Sequence, residues 1–515
     1  MRALGLIAAL ALVLAGTATA RTIVGTAKGE RLVGTPRADS ISGGAGNDRL
    51  LGGGGNDFLS GGPGHDVIAG GAGNDRIAAE YDVRDRVACG SGVDTVMADL
   101  VDVVAADCEL VSRRISRDAF RDPGGQPESE VEPDSFTVGR TTVATFQVGR
   151  RFDGGATGIG FAVSKDDGRT WRSGILPELT VASSPGGPND RASDAAVGYD
   201  AAHGVWLIAT LAIQGRVTRL TVSRSPDGVS WSTPIVAAEA SSSSGIAFDK
   251  EWIACDNGSA SPFKGRCYLV YSDTLHGDVI AAKFSVDGGS TWSSQVQVSQ
   301  KDGVGAIPVV QPSGELVVVY LAQGSRIESA VSLDAAASFS APVVVAPVTL
   351  HAESGLRFFP LPSADVDPSG RVWVTWHDAT PRGGVVQNSV LLSTSADGST
   401  WSEPTAVTSG RDAVLPAIGI DPSSGRAAIA YYTVRPAGID FELVESRVDG
   451  SGWGQPLRLS AQTMRVTWLP NTDSGRMLAD YVSVHWSGSR PLVVWALASP
   501  PAAANLHQAI YATRG

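Results

Sequence analysis

The sequence predicts an all-β chain built from two repeat arrays. Its 515 residues include 61 glycines and 28 prolines, and 18% of all residues are charged. This composition indicates a turn-rich globular protein. Glycine recurs every nine residues near the N-terminus. Hairpin-like segments recur later at intervals of about 50 to 60 residues. Because a single core rarely grows beyond about 250–300 residues, we expect at least two domains.

The net charge limits the partners of the chain. A formal charge of −12 argues against nucleic acid and anionic membrane surfaces, and it is compatible with cations. No segment after residue 20 is apolar enough to span a bilayer, so no membrane span is predicted. We expect a monomer.

Residues 1–20 have the pattern of a secretory signal peptide. Arg2 precedes the apolar run ALGLIAALALVLAG, and the small residues Thr17-Ala18-Thr19-Ala20 follow it. A membrane anchor is the alternative, but this run is shorter than the ~20 residues that cross a bilayer. We therefore expect an exported, extracellular protein that begins at Arg21.

Four cysteines form two local pairs, Cys89 with Cys108 and Cys255 with Cys267. Disulfides are the natural interpretation in an oxidising compartment. Zinc is a poor alternative, because neither pair has C-x-x-C spacing and no histidines cluster nearby.

The N-terminal repeat has a period of nine residues. Residues 43–78 read GGAGNDRLLGGGGNDFLSGGPGHDVIAGGAGNDRIA, and each unit fits G-G-x-G-x-D-x-(apolar)-x. Two units make one turn of a coil, so residues 18 apart stack at the β spacing of about 4.8 Å. The stack places Asp48 beside Asp66 and Asp57 beside Asp75. Carboxylate and carbonyl oxygens are the ligands that calcium prefers.

This pattern resembles the RTX, or haemolysin-type, calcium-binding repeat. The resemblance implies a parallel β-roll that requires calcium to fold, because one apolar side chain per unit gives only a thin core. A flexible Gly-Asp linker is the alternative, which the strict phase disfavours. The predicted metal-binding residues are Asp39, Asp48, Asp57, Asp66, Asp75, Gly44, Gly46, Gly53, Gly55, Gly62, Gly64, Gly71 and Gly73.

The segments that follow the repeat are less regular. Up to residue 111 aspartates persist at positions 85, 94 and 102 while the glycines are lost, so we expect a cap closed by the Cys89–Cys108 pair. Residues 112–133 are charged and rich in proline and glycine, which predicts a linker. The predicted domains are therefore a signal peptide (1–20), a calcium-binding β-roll with its cap (21–111), a linker (112–133) and a second repeat array (134–515).

The second array consists of β-hairpins followed by Asp/Gly turns. Seven hairpin-like copies occur, of which IPVVQPSGELVVVY and ADVDPSGRVWVTW are examples. Between them lie turns such as SKDDGRTW (Ser164–Trp171) and SVDGGSTW (Ser285–Trp292), with weaker copies that end at Trp231, Trp401, Trp453 and Phe339. About four strands per repeat are what propeller blades require.

These turns resemble the Asp box of sialidase-like (BNR-repeat) propellers. The resemblance implies a β-propeller over residues 134–515, with structural aspartates at the blade periphery. Seven hairpins favour seven blades, and six blades, as in true sialidases, are the alternative.

Charged residues precede several predicted inner strands, where propellers bind ligands around the central channel. The resemblance to sialidases implies that Arg191, Arg357 and Arg476 would bind a substrate carboxylate, and that Tyr481 and Glu251 would be nucleophile and activating base. However, the Arg-Ile-Pro motif of that family is absent, and no H-E-x-x-H, G-x-S-x-G or P-loop motif occurs.

Two functions therefore remain open. The first is a secreted calcium-binding protein whose propeller binds an extracellular glycan or protein. The second is an exo-α-sialidase-like glycoside hydrolase. The missing motif favours the binding protein, since a fold does not by itself imply an activity.

Overall fold

The computed structural model describes residues 19–515, except residues 82, 123, 244, 354, 380–385, 409, 411, 449, 451 and 502–504. The predicted signal peptide lies almost entirely outside the described residues. Where the chain is described it forms strands and two short 3₁₀ helices, Thr274–His276 and Val466–Trp468, and no α-helix. No described helix is long and apolar enough to cross a membrane. The all-β prediction is confirmed.

The described chain divides into two compact units. The first comprises residues 19–96 and 101–109, and the second comprises residues 97–100 and 110–515.

The first unit is a parallel β-solenoid. Its ten described strands, β1 to β10 in chain order, alternate between two parallel sheets. The odd-numbered strands form one sheet and the even-numbered strands form the other. Up to β7, successive strands of a sheet are 18 residues apart, so Ile41 pairs with Leu59 and Leu50 pairs with Ile68. The strands are β1 (Thr22–Val24), β2 (Arg31–Val33), β3 (Ser40–Ser42), β4 (Arg49–Gly54), β5 (Phe58–Ser60), β6 (Val67–Ala72), β7 (Arg76–Ala79), β8 (Arg86–Ser91), β9 (Thr95–Ala98) and β10 (Val103–Val104).

One apolar side chain from each repeat strand fills the interior of the solenoid. In a three-residue strand only the middle side chain points inward, because successive side chains alternate between faces. The inward residues are at most 1% exposed: Ile41, Leu50, Leu59, Ile68 and Ile77. The predicted parallel β-roll with a thin core is confirmed.

The second unit consists mainly of antiparallel strands. Its strands are β11 (Leu110–Arg114), β12 (Glu130–Val138), β13 (Thr141–Arg150), β14 (Ala156–Ser164), β15 (Arg172–Ile175), β16 (Arg191–Asp200), β17 (Val205–Gln214), β18 (Val217–Ser225), β19 (Ile235–Ser241), β20 (Phe248–Cys255), β21 (Cys267–Asp273), β22 (Val279–Ser285), β23 (Val296–Val310), β24 (Leu316–Ala322), β25 (Arg326–Ser332), β26 (Val343–Pro347), β27 (Leu356–Arg357), β28 (Ser363–Val366), β29 (Val372–Asp378), β30 (Ser389–Ser395), β31 (Thr405–Ala406), β32 (Asp412–Ile420), β33 (Ala427–Arg435), β34 (Gly438–Glu445), β35 (Leu457–Arg458), β36 (Asn471–Thr472), β37 (Gly475–Met477), β38 (Ser483–Ser487), β39 (Arg490–Ala498) and β40 (Gln508–Arg514).

The pairing of these strands gives seven groups of four. They are β12–β15, β16–β19, β20–β22 with the start of β23, the end of β23 with β24–β26, β28–β31, β32–β35, and β38–β40 with β11. The first strands contact one another in the order β12, β16, β20, β23, β28, β32 and β38, and β38 contacts β12 again. We infer seven blades from this closed circuit, and the count stays a prediction for an experimental structure to test.

Both ends of the predicted linker are strands in the structure. β11 begins at Leu110 and pairs with β40, and β12 begins at Glu130. Sequence reasoning missed these strands because Arg113 and Arg114 made the first one look solvated. Within β11, however, Leu110 and Ser112 are buried while their neighbours are only partly so, which is the alternation of a half-buried strand.

The two predicted disulfides are present. Cys89 is bonded to Cys108 with a Cα–Cα distance of 5.2 Å, and Cys255 is bonded to Cys267 with a Cα–Cα distance of 3.9 Å. The second bond joins the paired strands β20 and β21.

Candidate functional site

The solenoid stacks its aspartates through backbone hydrogen bonds. One carboxylate oxygen, Oδ1, of each predicted aspartate ligand accepts the N–H of the residue 18 positions earlier, which is itself an aspartate from Asp57 onward. The N–H of Asp48 donates to Asp66 at 2.7 Å, and the N–H of Asp57 donates to Asp75 at 2.8 Å. All of these aspartates are buried. The hydrogen bonds fix the side chains, and the other oxygen, Oδ2, is left for another ligand.

That second oxygen has no hydrogen-bond partner in four predicted metal-binding residues, although it is buried. The four are Asp48, Asp57, Asp66 and Asp75. A buried acceptor without a partner costs about 1–3 kcal/mol, and more when it is charged. A cation bound at these oxygens would remove that cost.

Asp39 differs from the four. Its Oδ2 accepts the N–H of Thr35, which stands where the later units have glycine. Burial alone would raise the pKa of Asp39, but the N–H groups of Thr35 and Arg21 lower it below its ordinary value. Among the units with a predicted aspartate ligand, the one that contains Asp39 is therefore the least suited to bind a metal ion.

The glycines of the repeat are required by the backbone. All eight predicted metal-site glycines have φ between +91° and +148°, which favours glycine. A Cβ atom on Gly62 would lie 1.9 Å from the carbonyl oxygen of Gly44. The first glycine of each unit is also close to its own aspartate, since a Cβ on Gly52 would lie 2.3 Å from Oδ2 of Asp57.

Electrostatics make these carboxylates unfavourable without a cation. Burial, together with the neighbouring charges of Asp75 and Asp39, raises the pKa of Asp57 to about 6. Burial also raises the pKa of Asp66 and of Asp75. Hard oxygen ligands with unmet negative charge fit calcium, so the residues present fit the ion that the sequence predicted.

The ladder continues beyond the predicted ligands. The N–H of Asp66 donates to Asp85 at 2.8 Å, and the N–H of Asp75 donates to Asp94 at 2.7 Å. The next step joins Asp85 to Asp102 at 2.8 Å. The sequence interval is 19 residues in the first two steps and 17 in the third, so these aspartates, which the sequence analysis assigned to a cap, break the nine-residue period but continue the stack.

The Asp/Gly turns of the second unit are held by local hydrogen bonds. In the first turn, Asp166 Oδ1 accepts the N–H of Thr170 at 2.8 Å, and Asp166 Oδ2 accepts its hydroxyl at 2.7 Å. Backbone N–H groups of Ser230 and Val229 lower the pKa of Asp227, in the second turn, to about 2. The carboxylates of these aspartates therefore stabilise the turns through hydrogen bonds within them.

The candidate site of the second unit is created by bulges near the start of the first strands. Pairing shifts register after Val131, Ser193, Asp249, Val304 and Val414. In each case a residue beside the shift has positive φ: Glu132, Asp194, Lys250, Gly305 and Leu415. Bulges re-aim side chains. Here they bring three charged residues from three adjacent groups together.

Lys250 is the centre of the resulting ion network. Its Nζ lies 3.3 Å from Glu132 Oε1, 2.7 Å from Asp194 Oδ1 and 2.5 Å from Asp480 Oδ2. Arg357 binds both oxygens of Asp480, and its Nη2 lies 2.9 Å from Oδ2. The Lys250 side chain is 10% exposed and that of Asp480 is fully buried.

Within the network, the pKa values of Glu132 and Asp480 are shifted in opposite directions. Burial raises the pKa of Glu132 to about 8 despite the attraction of Lys250. Burial would also raise the pKa of Asp480, but Lys250 and Arg357 hold it below its ordinary value. Asp480 is therefore the ionised partner of both cations.

Two of the three predicted arginines share a cavity. Arg191 and Arg357 line a space of about 150 Å³ together with Glu132, Asp194 and Asp249. Arg191 is paired with Asp153 at 2.8 Å. Arg476 is not among the lining residues of that cavity, and its Nη1 donates to the carbonyl of Leu469 at 2.6 Å. The structure thus brings together two members of the predicted carboxylate-binding triad.

Tyr481 and Glu251 line a smaller cavity of about 20 Å³. The Tyr481 hydroxyl and both Glu251 oxygens are buried and have no hydrogen-bond partner, so the tyrosine is not hydrogen-bonded to the glutamate. Burial, followed by the charge of Asp194, raises the pKa of Glu251 well above its ordinary value. Activation of the tyrosine by Glu251 would need a hydrogen bond that this structure does not show, and the pair stays a prediction.

Sequence reasoning missed Glu132 and Arg150 in this region. Glu132 fell within the predicted linker, and Arg150, which lines the cavity with Arg191, ends the strand β13. A comparison of the five first strands that bulge could have found Glu132.

Comparisons with known proteins agree with the repeat assignment. A family model described as the RTX calcium-binding nonapeptide repeat matches residues 24–59 and 52–80. The calcium-binding repeats predicted from the sequence are confirmed by this match. A search of curated proteins found no match.

Solved structures with a similar fold include three glycosidases. An intramolecular trans-sialidase from leech has 12% identity and a TM-score of 0.42, covering 62% of this chain and 67% of that one. A sialidase from Streptococcus pneumoniae has 11% identity and a TM-score of 0.44, covering 62% and 66%. An α-L-arabinofuranosidase from Fusarium graminearum has 13% identity and a TM-score of 0.42, covering 78% and 97%. The class that the turns resemble is represented, but TM-scores below 0.5 carry no argument about activity.

Proposed function

We propose that the chain is an exported calcium-binding protein whose propeller binds an extracellular ligand, with a glycan as the first candidate. The buried, unpartnered aspartate oxygens of the solenoid are the observation that carries the calcium part of this proposal. Export is supported by the signal-peptide pattern and by the two disulfides, because disulfides persist in oxidising compartments.

The proposed ligand site is the cavity of about 150 Å³ at the start of the first strands, which we call the mouth cavity. It offers donors from Arg150 and Arg191 and acceptors from Asp194 and Asp249. Sugar hydroxyl groups both donate and accept hydrogen bonds, so mixed donors and acceptors suit a glycan.

The charges of this region favour binding over sialidase chemistry. A substrate carboxylate needs an uncommitted arginine cluster. Here Arg357 is bound to both oxygens of Asp480, and Arg476 is not among the residues that line the mouth cavity. The predicted nucleophile Tyr481 lacks an activating hydrogen bond.

A glycan array with the full-length, calcium-saturated protein tests the proposal. We expect selective retention of a glycan, and at least a tenfold loss of affinity for Arg191→Ala. Arg140→Ala is the matched control, because Arg140 is 67% exposed and pairs with the turn residue Asp167. Loss of binding in both variants, or in neither, would contradict the mouth cavity as the site.

A glycoside hydrolase is the second candidate, because Tyr481 and Glu251 line one cavity. Release of a fluorophore from an aryl sialoside tests it directly. We expect no turnover. Turnover that disappears in Tyr481→Phe would establish the hydrolase instead, and selective binding of a protein in place of any glycan would identify a protein ligand.

A further inference from the structure

A second and larger cavity, the axial channel, is lined by residues of all seven first-strand segments of the ring. Its volume is about 410 Å³, within the range of small-molecule sites. Pro312 and Pro422 line it and are exposed, so the channel reaches solvent at the ends of strands that begin at the mouth. Most of its lining is apolar, including Ile307, Leu361 and Leu415.

The charged groups that line the axial channel are all acidic. They are Asp134, Asp365 and Asp480, and the described residues of the lining include neither lysine nor arginine. The remaining titratable base, His485, is neutral because burial lowers its pKa to about 4. An anionic ligand would therefore meet only like charges.

Two of these three carboxylates have no cationic side chain to balance them. Asp480 is paired with Lys250 and Arg357, but no ion pair among the described residues involves Asp134 or Asp365. Both accept backbone N–H groups from the next strand group: Val197 donates to Asp134 at 2.8 Å, and Ile420 donates to Asp365 at 2.7 Å. These bonds orient the carboxylates but do not balance their charge, and burial raises the pKa of Asp134 to about 7 and that of Asp365 to about 6.

Aromatic rings add to the preference for a cation. Phe136, Trp252 and Tyr481 line the axial channel and are half-buried. Trp252 and Tyr481 pack edge to face with 5.0 Å between ring centroids. The faces of such rings attract ammonium groups.

We propose that the axial channel binds an aliphatic amine, with its ammonium group at Asp134 or Asp365 and its hydrocarbon chain against the apolar lining. A hydrated metal ion fits less well, because calcium takes six to eight oxygen ligands and this lining offers few. A neutral molecule would leave both carboxylates uncompensated in a partly buried site. The proposal is independent of the ligand at the mouth cavity.

Isothermal titration of the full-length, calcium-saturated protein tests this site with three matched probes. They are 1,4-diaminobutane, 1,4-butanediol and succinate, which differ in charge at similar length. We expect saturable binding of the diamine with one molecule per chain, at least 100-fold weaker binding of the diol, and no binding of succinate.

Variants locate the amine. Asp134→Asn and Asp365→Asn keep an acceptor for the backbone N–H groups, and at least one of them should weaken diamine binding tenfold or more. Ala364→Leu adds volume to the channel without changing its charge and should weaken binding too, which keeps the test decisive if an aspartate variant fails to fold. Glu239→Gln removes an exposed acid outside the channel and should have no effect.

Three results would overturn the proposal. The first is equal affinity for the diamine and the diol. The second is diamine binding that is unchanged in all three channel variants. The third is an equal loss in Glu239→Gln, which would mean that amines bind only to the acidic surface.

Discussion

Replacing Lys250 by methionine tests the ion network at the mouth cavity most severely. The change removes the cation that faces Glu132, Asp194 and Asp480 at 3.3, 2.7 and 2.5 Å, and it keeps a side chain of similar length. Three carboxyl groups with side-chain exposures of 1%, 5% and 0% are left together. Breaking a buried ion pair by removing one partner costs about 3–5 kcal/mol, so we expect the free energy of unfolding to fall by about that amount.

Tryptophan emission during urea unfolding is a suitable assay, because all 12 tryptophans lie at or after residue 171 and report on the second unit. Arg140→Met is the control. Its pair with Asp167 is exposed, so its effect should stay within about 1 kcal/mol. Adding Asp194→Asn to Lys250→Met should recover part of the loss, because it removes one of the carboxylates that Lys250 contacts.

The pH dependence follows from the direction of the pKa shifts. In the unmodified protein the pKa of Asp480 is lowered, so its stabilisation is present above the ordinary carboxyl pKa and is lost as pH falls through the lowered value. Without Lys250, the pKa values of the carboxyl groups that it contacts rise above their values in the unfolded chain. The variant therefore loses stability as pH rises, because these buried groups must then ionise without a cation. The difference between the two proteins should therefore grow from pH 4 to pH 8. A destabilisation no larger than that of Arg140→Met, or one independent of pH, would refute the reasoning.

Two further predictions concern the covalent and apolar framework. Replacing both Cys255 and Cys267 by serine should lower the free energy of unfolding by about 3 kcal/mol, since the disulfide closes a loop of 12 residues. In the unmodified, non-reduced protein, mass spectrometry should find no alkylatable thiol at either position. Leu59→Ala should lower the stability of the solenoid by about 2–5 kcal/mol, because Leu59 is fully buried and its repeat strand has no other inward side chain. Val24→Ala is the control and should cost little, because Val24 is 72% exposed. Equal losses in the two variants would contradict the thin core.

The solenoid could be predicted from the sequence because its structure depends on local repetition. A nine-residue period fixes which glycine takes positive φ and which aspartate stacks on the one 18 residues away. The sequence showed Asp85 and Asp94 but did not predict that they extend the stack, since one added residue moves each of them out of the nine-residue phase.

The propeller site was only partly predictable, because it depends on contacts between distant strands. The charged residues before the inner strands were visible in the sequence, but their partners were not. Arg357 was predicted to bind a ligand, and its contact with Asp480 could not be foreseen from the sequence. Lys250 carried no sequence motif, and it becomes the centre of a network because three first strands bulge at equivalent places.

Hydrogen–deuterium exchange of the full-length protein, with calcium and with a chelator, tests the central claim that calcium is part of the solenoid fold. The account predicts that backbone amides of residues 40–78 are protected with calcium and exchange rapidly without it, while tryptophan emission stays the same. Asp57→Asn with Asp66→Asn should exchange rapidly even with calcium, because each asparagine keeps the stacking acceptor and loses the charged oxygen. Protection of residues 40–78 that is equal with and without calcium would contradict the account.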